Sequence, residues 1–312
     1  MLTLARYTLK GPYHAATVVG VLAILAVIFP LASSTPLLGA MAALALTYMS
    51  GALVGLIILT QGIQSGLKAI LVSIVGITLV ATIVLKAPEL GISIGLVQWL
   101  PIVVLAHALR TTNSLAMTLI AGVGLGFLAI LAQRIIWPDL ESDWQAVMLA
   151  SMDQVPENAG YSQAQLSEQV RVMMHWLILA LVGSLYVVYI TVVLVARWTQ
   201  ARIAGSDGFQ REFLTLTLGK PVSLVALVLL ALSFALKLDW LMSLAILIAS
   251  AFLFQGIAVV HARLLQKPML TGLFYMLLLI VPHVMGLTVI AGILDNWLFF
   301  RKRGKNEDSP GQ

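Results

Sequence analysis

Polar side chains inside apolar stretches are the first candidates for chemistry in this chain. Gln255, His283 and Asp295 each lie within such a stretch near the C-terminal end. An amide, an imidazole or a carboxylate in a membrane segment needs a partner, which is either another helix or a bound ligand. We therefore predict all three as ligand-binding residues. The alternatives are an ion pair with Arg301 for Asp295 and a helix-to-helix hydrogen bond for Gln255.

A second pair of candidates closes an earlier apolar stretch. His107 and Arg110 lie three residues apart, so they share one face of a helix. Such a pair can bind an anionic substrate or a lipid headgroup, and we predict both residues as further ligand-binding candidates. The alternative is an interfacial anchor on the cytoplasmic side of a membrane.

Several catalytic chemistries have no motif in this sequence. There is no cysteine, no Walker phosphate loop, no HExxH pair and no Gly-x-Ser-x-Gly elbow. These motifs would carry thiolate metal binding, ATP hydrolysis, zinc-dependent hydrolysis and serine hydrolysis, respectively. We predict a protein that is not an enzyme and has no catalytic residue, no metal site and no cofactor.

The composition belongs to the membrane class. Hydrophobic residues make up 60% of the 312 residues and charged residues only 10%, against about 25% in soluble domains. Because only helices satisfy their own backbone in lipid at this spacing, we predict an all-α polytopic bundle of about eight to nine spans. The apolar stretches lie at about 15–32, 37–60, 67–85, 91–109, 115–136, 172–196, 221–236, 239–260 and 269–300.

The last stretch, 269–300, is too long for one straight span. A helix of that length would extend about 48 Å, whereas the hydrocarbon core is about 30 Å thick. Pro282 lacks a backbone N–H and clashes with the preceding turn, so the sequence predicts a kink or break there.

The distribution of basic residues predicts the orientation. If connections alternate sides, the N-terminal side carries ten Lys and Arg residues and the other side carries four. The positive-inside rule then places the N-terminus in the cytoplasm, in a bacterial inner membrane. The four basic residues of the tail join the ten only if the last segment bends back at Pro282. We therefore predict eight full spans and a broken last segment, with nine plain spans as the alternative.

Glycine spacing and charge suggest a division of the chain. Small-xxx-small pairs, which let helices approach closely, all lie in the first half, at Gly51/Gly55, Gly62/Gly66, Gly91/Gly95 and Gly122/Gly126. We predict a glycine-rich lobe of about five helices at 1–136, an external acidic loop with an amphipathic helix at 137–171, a second lobe at 172–300 and a basic polar tail at 301–312.

The C-terminal end resembles a known family. The motif is Gly292-Ile-Leu-Asp295-Asn-Trp297-Leu-Phe-Phe300-Arg301-Lys302, preceded by Gln255-Gly256 and by His261. It is similar to the YybS-like family of bacterial multi-span membrane proteins. That family distantly resembles the substrate-binding subunits of energy-coupling-factor transporters and the rod-shape protein MreD. The resemblance implies a compact helical lobe that binds a small molecule.

Two functions are consistent with these features. The first is a membrane component that binds or transports a small solute, with membrane lipids around it and an energising membrane protein as a partner. The second is a scaffold for cell-envelope assembly. Nucleic acid is not a predicted partner, because the basic residues fit the anionic inner face of a membrane.

Overall fold

The predicted all-α architecture is confirmed. The computed structural model describes residues 2–152 and 163–298, and every regular element within those ranges is a helix. Seven helices are long and apolar enough to cross a membrane, which makes this a multi-pass membrane protein. They are Pro12–Ala32, Pro36–Gln61, Ile63–Leu85, Glu89–Thr112 with a π-helical segment, Leu115–Ile136, Gln165–Ile203 and Asp239–Leu264.

Helices are labelled here in chain order. They are α1 Leu2–Thr8, α2 Pro12–Ala32, α3 Pro36–Gln61, α4 Ile63–Leu85, α5 Glu89–Ser93, α6 Leu100–Thr112, α7 Leu115–Ile136, α8 Leu140–Met152, α9 Gln163–Ile203, α10 Gly208–Leu214, α11 Lys220–Leu236, α12 Asp239–Leu264, α13 Pro268–Ile280 and α14 Pro282–Leu298. The π-helical segment Ile94–Trp99 joins α5 to α6. Several helices begin with proline, whose missing N–H has no role in a first turn.

The last apolar segment is broken at the predicted proline. Helices α13 and α14 meet at Val281 and are bent by 114°. Val281 has extended backbone angles, and Pro282 begins the new helix. With 13 and 17 residues, the two helices are about 20 and 26 Å long, so neither alone matches the hydrocarbon thickness. Helix α11 is also short, with 17 residues.

The connection between α7 and α9 contains the expected helix, α8. The long helix α9 has 41 residues and already includes Arg171, which the sequence-based division puts in the loop. Its length of about 62 Å is twice the hydrocarbon thickness, so its polar first turns must extend beyond the apolar core. Residues 153–162 and the predicted basic tail at 301–312 lie outside the described residues.

The chain forms two compact units. The first contains residues 1–122 and 188–216, and the second contains residues 123–187 and 217–312. The borders fall inside α7 and α9, so the units interleave along the chain, whereas the sequence suggests consecutive lobes.

Glycines form close packing seams in the first unit. A Cβ atom on Gly51 would come within 3.2 Å of Val192, and one on Gly55 would come within 2.9 Å of Ala196. Both contacts join α3 to α9. Gly91 is likewise in tight contact with α4, where a side chain would overlap Thr78. These contacts agree with the predicted packing role of small-xxx-small pairs.

The second unit has a crossing of two single glycines, neither of which has another glycine four residues away. A Cβ atom on Gly256 of α12 would overlap the carbonyl oxygen of Thr288 on α14. One on Gly292 of α14 would overlap the carbonyl oxygen of Phe252. The two helices therefore touch backbone to backbone, which brings the residues beside these glycines into direct contact.

Candidate functional site

Gln255 and Asp295, two of the predicted residues, meet at the glycine crossing. The Gln255 side chain is fully buried on α12, next to Gly256. Its Nε2 atom donates hydrogen bonds to Asp295 Oδ2 and to Asn296 Oδ1, each at 3.3 Å. The close approach of α12 and α14 therefore aligns these three side chains, which we call the clasp.

The clasp binds the segment that precedes α11. Gln255 Oε1 accepts a hydrogen bond from the Leu218 backbone N–H at 2.9 Å. Asn296 Oδ1 accepts bonds from the Gly219 N–H and from the Thr217 hydroxyl, both at 3.0 Å. Asn296 also donates through Nδ2 to the carbonyl oxygen of Gly292. This arrangement ties residues 217–219 to two helices.

Hydrogen bonds within the protein occupy these side chains. Gln255 makes the helix-to-helix bond that sequence reasoning held as the alternative to ligand binding. The clasp does not line the α2–α4 groove around Ile77 or the polar cavity around Arg134, both of which lie within the described residues. The contact between Gln255 and Asp295 therefore has the geometry of a structural clasp. The predicted alternative for Asp295, an ion pair with Arg301, involves a residue outside the described ones.

His283 is not part of this arrangement. It is exposed in the first turn of α14, directly after the break at Pro282. Its side chain makes no hydrogen bond with any residue that the structure describes. The sequence predicts one site from Gln255, His283 and Asp295, and the structure brings together only the first and the third.

His107 and Arg110 belong to the first unit. Arg110 Nη1 donates to the carbonyl oxygens of Ile58 at 2.9 Å and Leu59 at 3.1 Å, near the end of α3. A cation at a helix C-terminus satisfies free carbonyl groups and interacts favourably with the helix dipole. The Nδ1 atom of His107 is buried without a hydrogen-bond partner among the described residues.

A polar cavity in the second unit contains residues that were not predicted as a site. It has a volume of about 190 Å³. It lies where the end of α7, the start of α8, the first half of α9 and the start of α12 come together. Its lining residues are Ile130, Gln133, Arg134, Trp137, Pro138, Glu141, Ile178, Leu179, Asp239 and Ser243. We call it the α7–α12 cavity.

His175 connects the two carboxylates of this cavity. Its Nδ1 atom lies 3.3 Å from Glu141 Oε1, and its Nε2 atom lies 4.0 Å from Asp239 Oδ1. Glu141 belongs to α8 and Asp239 to the first turn of α12. The imidazole of α9 thus holds carboxylates from two other helices on either side of it.

Arg134 and Ser243, which both line the cavity, have no side-chain partner within the part of the chain that the structure describes. Arg134 makes neither a hydrogen bond nor an ion pair there, although it lines the same cavity as Glu141 and Asp239. Ser243 is only 8% exposed, and its hydroxyl makes no hydrogen bond to a described residue. Because Ser243 lines the cavity, its hydroxyl is available to a ligand or water there.

The sequence signal for this site is weak. Arg134, Glu141 and Asp239 enter the topology argument only as charges on the predicted outer side, and His175 has no neighbouring motif. Their separation along the chain gives no spacing to recognise. Among the described residues, no group of three His, Asp or Glu side chains is arranged to hold a metal ion.

Comparisons with known proteins give no further assignment. No protein-family model, no curated protein and no solved structure matches the chain.

Proposed function

We propose that this membrane protein binds a small polar solute in the α7–α12 cavity, as a non-enzymatic binding or transport component. The observation that carries the proposal is a cavity of about 190 Å³ whose lining includes Arg134, Glu141, Asp239 and the unpartnered hydroxyl of Ser243. Small-molecule sites are typically concave and have convergent polar groups, and polar groups make up most of the accessible lining of this cavity. The cavity replaces the clasp as the proposed binding site.

The charged groups of the cavity lie at helix ends, where water can reach them. Arg134 is in the last turn of α7, and Asp239 is in the first turn of α12. In the α7–α12 cavity, the Glu141 and Asp239 side chains remain 39% and 56% exposed. They therefore keep hydrogen-bonding capacity that a polar solute can use in place of water.

The orientation of the chain places this cavity on the outer side in our proposal. With a cytoplasmic N-terminus, α7 ends and α12 begins at the outer face of a bacterial inner membrane. The bend at Pro282 would return the C-terminal tail to the cytoplasm, next to the anionic inner leaflet that attracts Lys and Arg. A solute would then enter the cavity from outside the cell.

The family resemblance supports the same function. The similarity of the C-terminal motif to the YybS-like family, and through it to transporter subunits that bind substrates, is compatible with a solute-binding lobe. Because the sequence contains no Walker loop, we propose that any energy for transport comes from a separate protein partner.

The experiment uses a cavity-filling variant. Ser243→Phe places an aromatic ring at the cavity wall, whereas Ser184→Phe places the same ring on an exposed position of α9. Small molecules that co-purify with each full-length protein are identified by mass spectrometry. They are then added back in thermal unfolding assays, where a ligand at 100 times its Kd stabilises by about 2.7 kcal/mol.

We expect a solute to co-purify with the wild type and with Ser184→Phe and to stabilise both. Ser243→Phe should lose the solute while remaining folded. The proposal is wrong if no solute is found or if Ser243→Phe keeps it. The absence of any solute would favour the predicted scaffold function instead.

A further inference from the structure

The α7–α12 cavity has charges of both signs, and we infer that its ligand is a small zwitterion. The ammonium group of the ligand contacts Glu141 and Asp239, and its acidic group contacts Arg134. This inference rests on the proposed function of the cavity as a solute site. It adds the chemical class of the solute.

The anionic side of the cavity is organised by His175. The imidazole lies between the two carboxylates, 3.3 Å from Glu141 and 4.0 Å from Asp239. An ammonium group has three donors and no acceptor. Glu141, Asp239 and the unpartnered hydroxyl of Ser243 offer three acceptors for it along the same lining.

The cationic side consists of Arg134. Its guanidinium lies more than 4.0 Å from every carboxylate oxygen of the described residues, because no ion pair forms within that distance. These groups remain partly exposed to water, so they can stay unpaired while the cavity holds no ligand. A ligand with both charges can bridge the gap, whereas a ligand with one charge leaves the opposite group uncompensated.

The remaining lining determines the body of the ligand. Ile130, Ile178, Leu179 and Trp137 contribute apolar surface next to the charged groups. This apolar part of the lining can contact a short alkyl group of the ligand, which removes apolar surface from water.

Two sources can supply this chemistry. One is a free zwitterion such as an aliphatic amino acid. The other is the headgroup of a zwitterionic phospholipid, because Trp137 beside the cavity is an aromatic residue of the type enriched at membrane interfaces. The shared chemistry is an ammonium group separated by a short distance from an acidic group.

The test compares ligands that differ by one group. L-leucine carries both groups, 3-methylbutylamine lacks the carboxylate and 4-methylpentanoate lacks the ammonium. Dihexanoyl-phosphatidylethanolamine represents the lipid source. Binding of each to the full-length protein in detergent is measured by calorimetry. We expect a zwitterionic probe to bind about 10- to 100-fold more tightly than either single-charge probe, since each lost contact is a charged hydrogen bond.

Charge-removing variants identify the groups involved. Arg134→Gln should reduce the affinity for L-leucine to that for 3-methylbutylamine and leave the amine affinity nearly unchanged. The double variant Glu141→Gln with Asp239→Asn should remove the advantage of L-leucine over 4-methylpentanoate. Arg202→Gln is the matched control, because that arginine is exposed in the last turn of α9 and does not line the cavity.

The outcomes separate this inference from the proposed function. Equal affinity for L-leucine and a single-charge probe would overturn the inference that the ligand is a zwitterion. The proposal that the cavity binds a solute would still stand. If only the phospholipid binds, the result supports a zwitterionic ligand and shows that its source is a lipid headgroup and not a free solute. Failure of both zwitterionic probes overturns the inference, while the co-purification experiment decides the proposed function separately.

Discussion

Replacing Gln255 with leucine should release the segment before α11 from the clasp. The glutamine is fully buried, and its Oε1 atom is the acceptor for the Leu218 N–H. Leucine fills a similar volume but offers no acceptor. Because Leu218 is itself buried, water cannot replace the lost bond without local opening. The substitution therefore tests whether the clasp is a structural device.

The magnitude follows from the bonds that are lost. Leaving one buried N–H unsatisfied costs about 1 to 3 kcal/mol. The two bonds from Gln255 Nε2 to Asp295 and Asn296 are long at 3.3 Å, and such bonds between membrane helices contribute about 0.6 kcal/mol each. The total is about 2 to 4 kcal/mol. The cost of the unsatisfied Leu218 N–H alone, about 1 to 3 kcal/mol, corresponds to a roughly 5- to 150-fold change in the equilibrium constant for local opening.

Hydrogen exchange measured by mass spectrometry gives a local reading. Gln255→Leu should raise the exchange of the peptide that contains Leu218 and Gly219 by roughly that factor, and exchange in α3 should stay unchanged. Gln64→Leu is the matched control, because Gln64 is exposed at the start of α4. Gln255→Glu retains an acceptor for Leu218 but places a second carboxylate beside Asp295, so it should also destabilise the clasp.

Two results would refute this reasoning. Unchanged protection of Leu218 in Gln255→Leu would mean that the bond contributes nothing to holding the segment. An equal rise in exchange for Gln64→Leu would mean that the effect comes from hydrophobic substitution in general. A binding role for the clasp would give a different result. Adding a solute would then slow hydrogen exchange of this peptide in the wild type but not in Gln255→Leu.

Two further predictions concern packing and topology. Gly256→Ala should lower the thermal unfolding midpoint by several degrees, because its methyl group meets the backbone of α14, whereas Gly286→Ala has open space around it and should be neutral or slightly stabilising. Because the chain has no cysteine, Ser142→Cys and Ser206→Cys provide single labelling sites. In intact cells an impermeant maleimide should label the first and spare the second, and the reverse pattern would invert the proposed orientation.

The parts of the fold that sequence predicts are those with a local cause. The break at Pro282 follows from a missing N–H and a steric clash, and both act within one turn of the proline. The apolar stretches predict helices because lipid leaves the backbone no alternative. These effects do not depend on which other segment is nearby.

The parts that sequence does not predict depend on distant neighbours. Gly256 and Gly292 have no second glycine four residues away in their own helices, so their crossing appears only when α12 and α14 are placed together. The two compact units interleave because the 41-residue helix α9 contributes to both. The cavity joins Arg134, Glu141 and Asp239 from three helices, and a linear pattern does not show that they converge.

The contrast between the clasp and the cavity has a physical basis that applies to polar residues in other membrane proteins. A glutamine deep in an apolar helix must be satisfied by the protein itself, because the folded state without ligand would otherwise pay a desolvation penalty. Gln255 meets that requirement and has little capacity left for a ligand. Side chains at helix ends, such as Arg134 and Asp239, can be hydrated while the site is empty. Polar groups without a protein partner are therefore tolerated only where water can reach them. Ligands can also enter and leave at such places.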